Sequence, residues 1–556
     1  MERNIAAAVC TRLTVMLILT SLLLVACSGD YKQKSVEGQG ETKQQPVKIR
    51  VFAHQNNGKD LSENGFSKLL EEKFNVDFQW EAVSSEGAKE KRQISLASGK
   101  YPDAYILTAY VDQFSQLDVL RYGQQGVFLP LNELIDQYAP HIKKALANSA
   151  QLRAYSVAPD GNIYGLVSYS ECFHCSYPNK LWINTEWLDR LHLSMPETTE
   201  QFKEVLRAFK NGDPNGNGVQ DELPLSGSIE EFGVRVIPVL MNGFIYDDDR
   251  TYLTLHGGKA DLVADKEEWR EGLRYIKSLF DEGLIDPGAF TQSADAFRSI
   301  GNSPEEAVLG AGAAMHPDIF VNTEADNPRG KMYNPVPPLI GPHAQNAVYI
   351  QGGITPGAKF VITNHASREA QIALIKMVDY MYTPEGQALA EVGKEGIDWR
   401  RPAAGEKGLG SNVTPQFARI PQAEGEPSRN TGWFGMGHFY MPRDYRDSWV
   451  QGEDIYAPDG YERRLYEATQ LYEGKEPDEL YPLWEVWIDA KDADEASSLQ
   501  ANLKHYIDQY ALRFITGDMD LDREWNNYLD GLKQVGAERY VAIMQKAYDG
   551  REANRK

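Results

Sequence analysis

Short apolar runs and amphipathic segments alternate along the first part of the chain. Residues 47–52 and 76–80 have the apolar pattern of buried strands, and residues 101–107 predict a third strand. Apolar positions between the first two strands recur at helical spacing, and a second helix ends at Gly99, a suitable C-cap. This alternation predicts an α/β fold with a doubly wound sheet, in which ligands bind beyond the carboxyl ends of the strands.

The rest of the chain continues the pattern with less regularity. Residues 181–184 predict a strand, and the segments 198–209, 267–282 and 372–378 predict amphipathic helices. Residues 396–490 are irregular and rich in aromatic side chains, and amphipathic helices follow to the end. The sequence contains no internal repeat, and 556 residues are enough for two large lobes with separate cores.

Composition and charge narrow the range of functions. Hydrophobic residues make up 42% and charged residues 25%, which are globular proportions and exclude a wholly disordered or fibrous chain. The chain has 57 Lys and Arg against 80 Asp and Glu, a net charge of −23. This field repels phosphate backbones, so nucleic-acid binding is not expected.

The first 26 residues have the features of an export signal. Arg3 and Arg12 accompany an apolar run at 13–24, which is too short to span about 30 Å of hydrocarbon comfortably. The run ends in Leu-Val-Ala-Cys at 24–27, which resembles a bacterial lipobox. Cleavage before Cys27 would make this cysteine the lipid-bearing first residue of the mature chain. An uncleaved membrane anchor is the alternative.

The segment that follows, residues 27–46, predicts a disordered tether. It has low hydrophobicity and many Gln, Gly, Lys and Glu residues. Ordered structure is therefore expected to begin at about Val47. We expect the folded body to be lipid-anchored at the extracellular face of the cell membrane.

A calcium-type loop at 213–222 is the sharpest chemical motif. Oxygen-bearing side chains occupy loop positions 1, 3, 5 and 9, and Gly218 at position 6 permits a tight turn, as in an EF-hand loop. The spacing predicts structural Ca²⁺, whose ligands are Asp213, Asn215, Asn217, the Val219 carbonyl, Asp221 and Glu222. Glu222 replaces the usual Glu at position 12, where this chain has Pro224. An Asn/Gly turn without metal is the alternative.

Two other acidic clusters predict no metal site. Residues 518–522 imitate the first ligand positions of such a loop, but Arg523 brings bulk and positive charge at position 6. Helix capping explains that cluster better. Asp247, Asp248 and Asp249 predict a solvated turn.

The cysteines at 172 and 175 flank Phe173 and His174 and leave several alternatives open. Zinc needs four ligands, and no second Cys/His cluster is present to supply them. Outside the cytoplasm a disulfide is favoured, although the two thiols could remain free. The flanking sequence is not a strand that opens a helix, so we assign the pair no catalytic role.

Several phrases resemble one known family. Besides the lipobox, they lie at 96–103, 126–131, 183–188, 280–287, 382–386 and 515–522. They resemble the extracellular solute-binding lipoproteins of carbohydrate ABC importers, over essentially all of the mature chain. The resemblance is strongest to the large calcium-containing lipoproteins of Gram-positive bacteria and to the alginate-binding proteins.

This resemblance implies a fold, a boundary and partners. The implied fold has two lobes, of the periplasmic-binding-protein type, that close on an oligosaccharide, with crossings near 165–170, 340–350 and 380. Lobe 1 would be 47–165 plus about 345–380, and lobe 2 would be 166–344 plus about 381–556. The resemblance also implies a monomeric receptor that serves an ABC permease, and calcium ligation at the position of Glu222.

Sugar sites pair aromatic platforms with polar side chains, because sugar rings present both C–H faces and hydroxyl groups. The glycine-punctuated aromatic run at 433–440 is too irregular to be a helix stripe. The predicted ligand-binding residues are His54, Asn56, Asp103, Thr108, Tyr110, Tyr177, Trp399, Arg401, Trp433 and Trp449. For any single Trp a core position is the alternative, and Asp103 also suits a turn or a cap.

The leading hypothesis is a receptor without catalytic residues, which works by closing on its ligand. The acidic net charge favours neutral oligosaccharides over polyuronates. One alternative is an extracellular glycosidase or lyase, which would need two carboxylates about 5–9.5 Å apart. A ligand-presenting sensor and an oligopeptide receptor would have the same fold.

Overall fold

Strands and helices alternate in the structure, a computed structural model that describes residues 45–555 without 56–58, 231–232, 325–326, 351–356, 411–412, 423–424 and 428. The strands are Val47–His54 (β1), Val76–Val83 (β2), Ala104–Ile106 (β3), Tyr169–Ser170 (β4), Leu181–Asn184 (β5), Leu223–Ser226 (β6), Leu253–His256 (β7), Lys259–Leu262 (β8), Leu309–Ala313 (β9), Tyr333–Val336 (β10), Phe360–Ile362 (β11), Trp399–Arg400 (β12), Ala418–Arg419 (β13) and Tyr440–Met441 (β14). The predicted signal segment, Cys27 and nearly all of the tether lie outside the described residues.

Twenty α-helices lie in the described part of the chain. They are Gly65–Phe74 (α1), Ala88–Ala97 (α2), Gln116–Gln124 (α3), Asn132–Tyr138 (α4), Pro140–Asn148 (α5), Ala150–Ser156 (α6), Phe173–Ser176 (α7), Thr185–Arg190 (α8), Thr199–Asn211 (α9), Val236–Met241 (α10), Glu267–Asp281 (α11), Ala294–Gly301 (α12), Arg329–Met332 (α13), Arg368–Met381 (α14), Pro384–Glu391 (α15), Arg443–Asp447 (α16), Tyr461–Gln470 (α17), Ala490–Thr516 (α18), Leu521–Gln534 (α19) and Ala537–Arg555 (α20). The predicted helices at 198–209, 267–282 and 372–378 are confirmed as α9, α11 and part of α14.

The first sheet has the strand order β11-β3-β1-β2. β1 is parallel to β2 and to β3, whereas β11 is antiparallel to β3. Ile106 pairs with Ala53 on one side and with Phe360 on the other. The carboxyl ends of β1 and β3 and the amino end of β11 therefore share one edge of the sheet.

The second sheet has the strand order β10-β5-β9-β6. β6 is parallel to β9, and β5 is antiparallel to both β9 and β10. Leu181 pairs with Ala313 and with Val336. The carboxyl ends of β9 and β10 and the amino end of β5 thus lie together, as at the first sheet.

Each sheet has its own hydrophobic core, and these cores define two lobes. The core of lobe 1 includes Val51, Leu70, Ile142 and Leu374. The core of lobe 2 includes Trp187, Leu206, Trp269 and Phe514.

The segment around 433–439 packs on lobe 1, although the expected boundaries assign it to lobe 2. Trp433 and Phe439 are members of the lobe 1 core. The contact is fixed at the start of α1, where the Gly65 amide donates a 2.8 Å hydrogen bond to the Asn430 carbonyl. The Asn64 side chain, which caps α1, also donates to the Gly432 carbonyl at 2.9 Å.

β4 and β14 pair in parallel and form a short two-stranded ribbon. Tyr440 pairs with Tyr169, and Met441 pairs with Ser170. The loop before β14, residues 433–438, and the loop after β4, residues 172–177, therefore leave opposite ends of one ribbon. We name them the lobe 1 loop and the lobe 2 loop.

The two acidic clusters have different structures. Asp520 caps α19, because its Oδ1 accepts hydrogen bonds from the amides of Asp522 and Arg523, both at 3.0 Å, which confirms the capping prediction. The solvated turn predicted at 247–249 is wrong. Asp247 and Asp249 are buried, and Asp249 is paired with the guanidinium of Arg235.

No helix in the described part of the chain is both long enough and apolar enough to cross a membrane.

Candidate functional site

A backbone amide and a histidine side chain meet at the carboxyl edge of the first sheet. The amide of Thr108 donates a 3.0 Å hydrogen bond to Nδ1 of His54. His54 is the last residue of β1. His54 is buried, and its Nε2 has no hydrogen-bond partner among the described residues. Burial lowers the pKa of His54 to about 4, so the ring is neutral and carries its proton on Nε2.

The lobe 1 loop covers the same edge and adds aromatic surface. Phe434 has a φ of +52°, a conformation that bulky residues rarely adopt and that is frequent at functional sites. The Lys59 ammonium lies 3.0 Å from the centre of its ring. Gly435 allows Tyr110 to approach, because a Cβ at Gly435 would lie 2.1 Å from the Tyr110 hydroxyl oxygen.

Tyr110 offers the most open aromatic side chain at this edge. The residue is 72% exposed, and its ring lies 6.5 Å from that of His438. Burial lowers the pKa of His438 to about 4, so this ring is also neutral. Tyr110, Phe434 and His438 together present aromatic faces and hydrogen-bonding groups of the kind that sugars need.

The corresponding edge of the second sheet carries the lobe 2 loop and His316. Cys172 and Cys175 form a disulfide there, which settles the alternatives left by the sequence. His174 Nδ1 lies 3.3 Å from a Glu462 carboxylate oxygen. His316 Nδ1 lies 3.2 Å from the Tyr461 hydroxyl, and burial lowers the pKa of His316 to about 4.

A charged cluster lies between the two edges. Glu391 contacts the Tyr445 hydroxyl at 3.2 Å, Arg419 at 3.4 Å and His438 Nε2 at 3.9 Å. These side chains border a cavity of about 90 Å³, lined by Glu391, Leu409, Arg419, Met441, Tyr445, Arg446, Trp449, Gln451 and Glu462. The cluster supplies several donors and acceptors beside the lobe 1 loop.

A larger cavity, of about 920 Å³, lies elsewhere, between α6 and the ends of α18 and α20. Its charged side chains neutralise one another, since Lys546 contacts Asp489 at 2.5 Å and Asp492 at 2.7 Å. Trp487 donates a 3.0 Å hydrogen bond to the Ala154 carbonyl at its wall. The lining residues of this cavity include none from the strand ends, the lobe 1 loop or the lobe 2 loop, and we do not assign the ligand to it.

The three predicted tryptophan platforms are buried. Trp399 is fully buried, Trp433 is 4% exposed and Trp449 is 5% exposed. Trp433 packs edge-on against Phe66 and donates to the Ser67 hydroxyl at 2.9 Å. Their faces are covered by protein, so the structure gives them packing roles.

Three other predicted ligand-binding residues are not among the described residues at the strand-end site. Asp103 precedes β3 and accepts a 2.8 Å hydrogen bond from the Arg50 amide, at the opposite edge from Thr108. Arg401 is exposed and paired with Glu395 at 3.1 Å. Asn56 lies outside the described residues.

Tyr177 belongs to the lobe 2 loop, where its hydroxyl donates to Glu476 at 2.7 Å. Of the predicted ligand-binding residues, four lie at the strand ends of the two sheets: His54, Thr108, Tyr110 and Tyr177. Sequence reasoning did not select Phe434 or His438, although both lie in the aromatic run that it singled out. The glycines at 435 and 437 are the only sequence signal, since they interrupt the aromatic run after Trp433, and Phe434 and His438 are the partly exposed residues of this otherwise buried loop.

The calcium-type loop lies after α9 and folds around its own oxygens. Asp213 Oδ1 and Oδ2 accept from the amides of Gly216 and Gly218, both at 3.1 Å. Asn217 Nδ2 donates to both oxygens of Asp221, at 3.2 and 3.1 Å. Gly216 and Gly218 have positive φ, as the turn requires.

Glu222 supplies a direct test of whether a cation fits this loop. Both of its carboxylate oxygens are buried and have no hydrogen-bond partner among the described residues. Burial raises the pKa of Glu222, and the nearby charges of Asp221 and Asp213 raise it further. A hard cation would remove this cost, so the donor set fits Ca²⁺.

Residues 59–388 match the bacterial extracellular solute-binding protein family, and the chain belongs to this family. A curated relative, the fructooligosaccharide ABC transporter substrate-binding protein FusA of Streptococcus pneumoniae, is 29% identical over 558 residues, covering 97% of this chain and 98% of FusA. Lipoprotein LipO of Bacillus subtilis is 24% identical over 395 residues, covering 68% of this chain and 72% of LipO.

Solved structures agree with this assignment. S. pneumoniae FusA in complex with kestose has a TM-score of 0.69 at 27% identity, covering 91% of this chain and 100% of that chain. A FusA EF-hand mutant in complex with fructo-nystose has a TM-score of 0.69 at 26% identity, with the same coverage. An extracellular solute-binding protein from Bifidobacterium longum subsp. infantis shares the fold, with a TM-score of 0.75 at 19% identity, covering 91% and 98%. The two-lobe binding-protein fold is confirmed, and the family is one of binding proteins, not enzymes.

Proposed function

We propose that this protein captures a neutral fructooligosaccharide outside the cell and delivers it to the permease of an ABC importer. The observation that carries the proposal is the 29% identity to FusA along nearly the whole of both chains. The strand-end site supports it, since Tyr110 offers an open aromatic face and His54 Nε2 an unused donor. The net charge of −23 also favours a neutral sugar.

Two further parts of the proposal concern attachment and metal. A lipid on Cys27 would hold the mature chain at the outer face of the membrane, and a monomer would suffice for capture by lobe closure. Ca²⁺ would be held by Asp213, Asn215, Asn217, the Val219 carbonyl, Asp221 and Glu222. Its role would be structural, because the loop lies apart from the strand-end site and contains no nucleophile or base.

Calorimetry with the purified protein tests the sugar proposal. Kestose and nystose are the probes, and maltotriose, a trigalacturonate and a tripeptide are the controls. We expect saturable binding of a fructooligosaccharide and recovery of the intact sugar by chromatography. Binding of the tripeptide alone would indicate an oligopeptide receptor, and cleavage of the sugar would indicate an enzyme; either result refutes the proposal.

A further inference from the structure

A buried lysine holds the lobe 1 loop by its backbone. Lys359 is fully buried, and its ammonium donates to the Met436 carbonyl at 2.7 Å and to the His438 carbonyl at 2.9 Å. A longer contact of 3.4 Å reaches the Gly435 carbonyl. The ammonium also lies 4.2 Å from the centre of the Phe439 ring. All four contacts are to the segment that presents Phe434 and His438.

A second buried lysine holds the lobe 2 loop in the same way. Lys180 is 1% exposed, and its ammonium donates to the His174 carbonyl at 3.0 Å and to the Tyr177 carbonyl. It lies 5.5 Å from the centre of the Tyr472 ring. Lys180 therefore also joins carbonyl groups of a loop to the face of a buried aromatic ring.

The two lysines occupy equivalent places in the two sheets. Lys359 directly precedes β11, which is antiparallel to β3, and Lys180 directly precedes β5, which is antiparallel to β9. Each lysine thus lies where an antiparallel strand begins beside the carboxyl end of its neighbour. The equivalence is one of topology, because the sequences around the two lysines differ.

Neither ammonium is paired with a carboxylate among the described residues, so each charge is balanced only by carbonyl dipoles and a ring. Burial lowers the pKa of Lys359 well below its ordinary value and that of Lys180 to about 7. A methionine would fill a similar space without the cost of a buried charge. A role in holding loops explains why a lysine stands at both places.

The lysines also act on the histidines of the site. The charge of Lys359 contributes to the lowered pKa of His54 and of His438. The charge of Lys180 contributes in the same direction at His174 and His316. Each lysine, when protonated, therefore favours the neutral form of two histidines.

From this arrangement we infer that Lys359 and Lys180 are a matched pair of positioning residues, which hold the lobe 1 and lobe 2 loops in their ligand-binding conformations through backbone carbonyls. They do not contact the ligand themselves. The inference rests on the proposed function for the nature of the ligand, an oligosaccharide, but its loop-ordering part is independent of which sugar binds. Pre-formed loops raise affinity because less conformational freedom is lost on binding.

The test uses Lys359→Met and Lys180→Met in the full chain, with Lys376→Met as the matched control. Lys376 is exposed on α14, where its ammonium lies 5.4 Å from the Tyr138 ring. In the absence of ligand, we expect amide hydrogen exchange to speed up about tenfold or more in 433–438 for the first variant and in 172–177 for the second. Exchange in the core helices α9 and α14 should remain as in the wild type, and the control should match it throughout.

Kestose affinity is the second measurement, and we expect each site variant to bind about tenfold or more weakly. Lys359→Gln and Lys180→Gln, which retain one amide donor group, should recover part of the affinity and serve where a Met variant fails to fold. Folded variants with wild-type loop exchange overturn the inference, as does a uniform increase of exchange throughout a lobe. A wild type that binds no sugar refutes the proposed function instead, and the exchange measurement still decides the inference.

Discussion

The amide of Thr108 and Nδ1 of His54 are joined by a 3.0 Å hydrogen bond between the ends of two neighbouring strands. The bond fixes the tautomer of the buried imidazole, because Nδ1 accepts and its only N–H is then on Nε2. No described residue accepts that N–H. The pair therefore leaves a buried N–H without a described acceptor, and under the proposed function this donor would serve a ligand hydroxyl group.

The lowered pKa of His54 predicts a loss of stability in mild acid. Its pKa is about 4 in the folded protein and 6.5 in the unfolded chain, so only the unfolded chain gains this proton as pH falls from 6.5 toward 4. We expect His54 to lower the free energy of unfolding by about 1.5 kcal/mol between pH 6.5 and 5. Urea unfolding of the wild type and of His54→Asn at both pH values measures this contribution, since His316 and His438 have similarly lowered pKa values and contribute to both. His54→Asn, whose Oδ1 can accept from Thr108, should reduce the pH dependence by that amount, and an unchanged slope would contradict the assignment.

Removal of Ca²⁺ is expected to destabilise the protein through Glu222. Chelation would leave the Glu222 carboxylate buried beside Asp213 and Asp221, so the melting temperature should fall by several degrees. Glu222→Gln should reduce calcium affinity and the effect of chelator. Asp518→Asn, in the cluster that caps α19, is the control and should behave as the wild type. A melting temperature indifferent to chelator, with no calcium found by elemental analysis, would refute the metal site.

Tyr110 and Trp399 should differ in what their substitution changes. Tyr110→Ala removes an exposed ring, so we expect about tenfold weaker sugar binding with little change in melting temperature. Trp399→Phe removes the 2.9 Å hydrogen bond from Nε1 to the Gly393 carbonyl inside a core. It should cost about 1–3 kcal/mol of stability and leave affinity unchanged. Calorimetry measures the affinity and urea unfolding the stability of both variants. Weaker sugar binding by Trp399→Phe, with unchanged binding by Tyr110→Ala, would restore the sequence-based choice of Trp399.

Lipid attachment at Cys27 can be tested by membrane fractionation. If Cys27 carries the lipid, Cys27→Ser should release the mature chain from the membrane fraction or block its processing. Cys172→Ser, which removes the disulfide instead, is the control and should leave the protein membrane-bound. Fractionation and incorporation of a labelled fatty acid measure the outcome. Labelling of the Cys27→Ser variant would exclude this residue as the acceptor.

Much of the fold could be predicted from local sequence. Strands β1, β2 and β5 and helices α9 and α11 were evident because their apolar periodicity reports which face is buried, and periodicity is a local property. The calcium-type loop was evident for a similar reason, since all of its ligands lie within ten consecutive residues, 213–222. The family resemblance supplied the two-lobe architecture, which periodicity alone does not specify.

Tertiary structure decided which aromatic residues are covered and which loops are held. Trp433 is buried because α1 binds its segment through Asn64 and Gly432, which are 368 positions apart in the chain. Lys359 and Lys180 likewise differ from surface lysines only in what the folded chain places around them. A sequence pattern records how often a residue faces inward, whereas the partner across a long-range contact depends on how distant segments pack; only the folded structure contains that information.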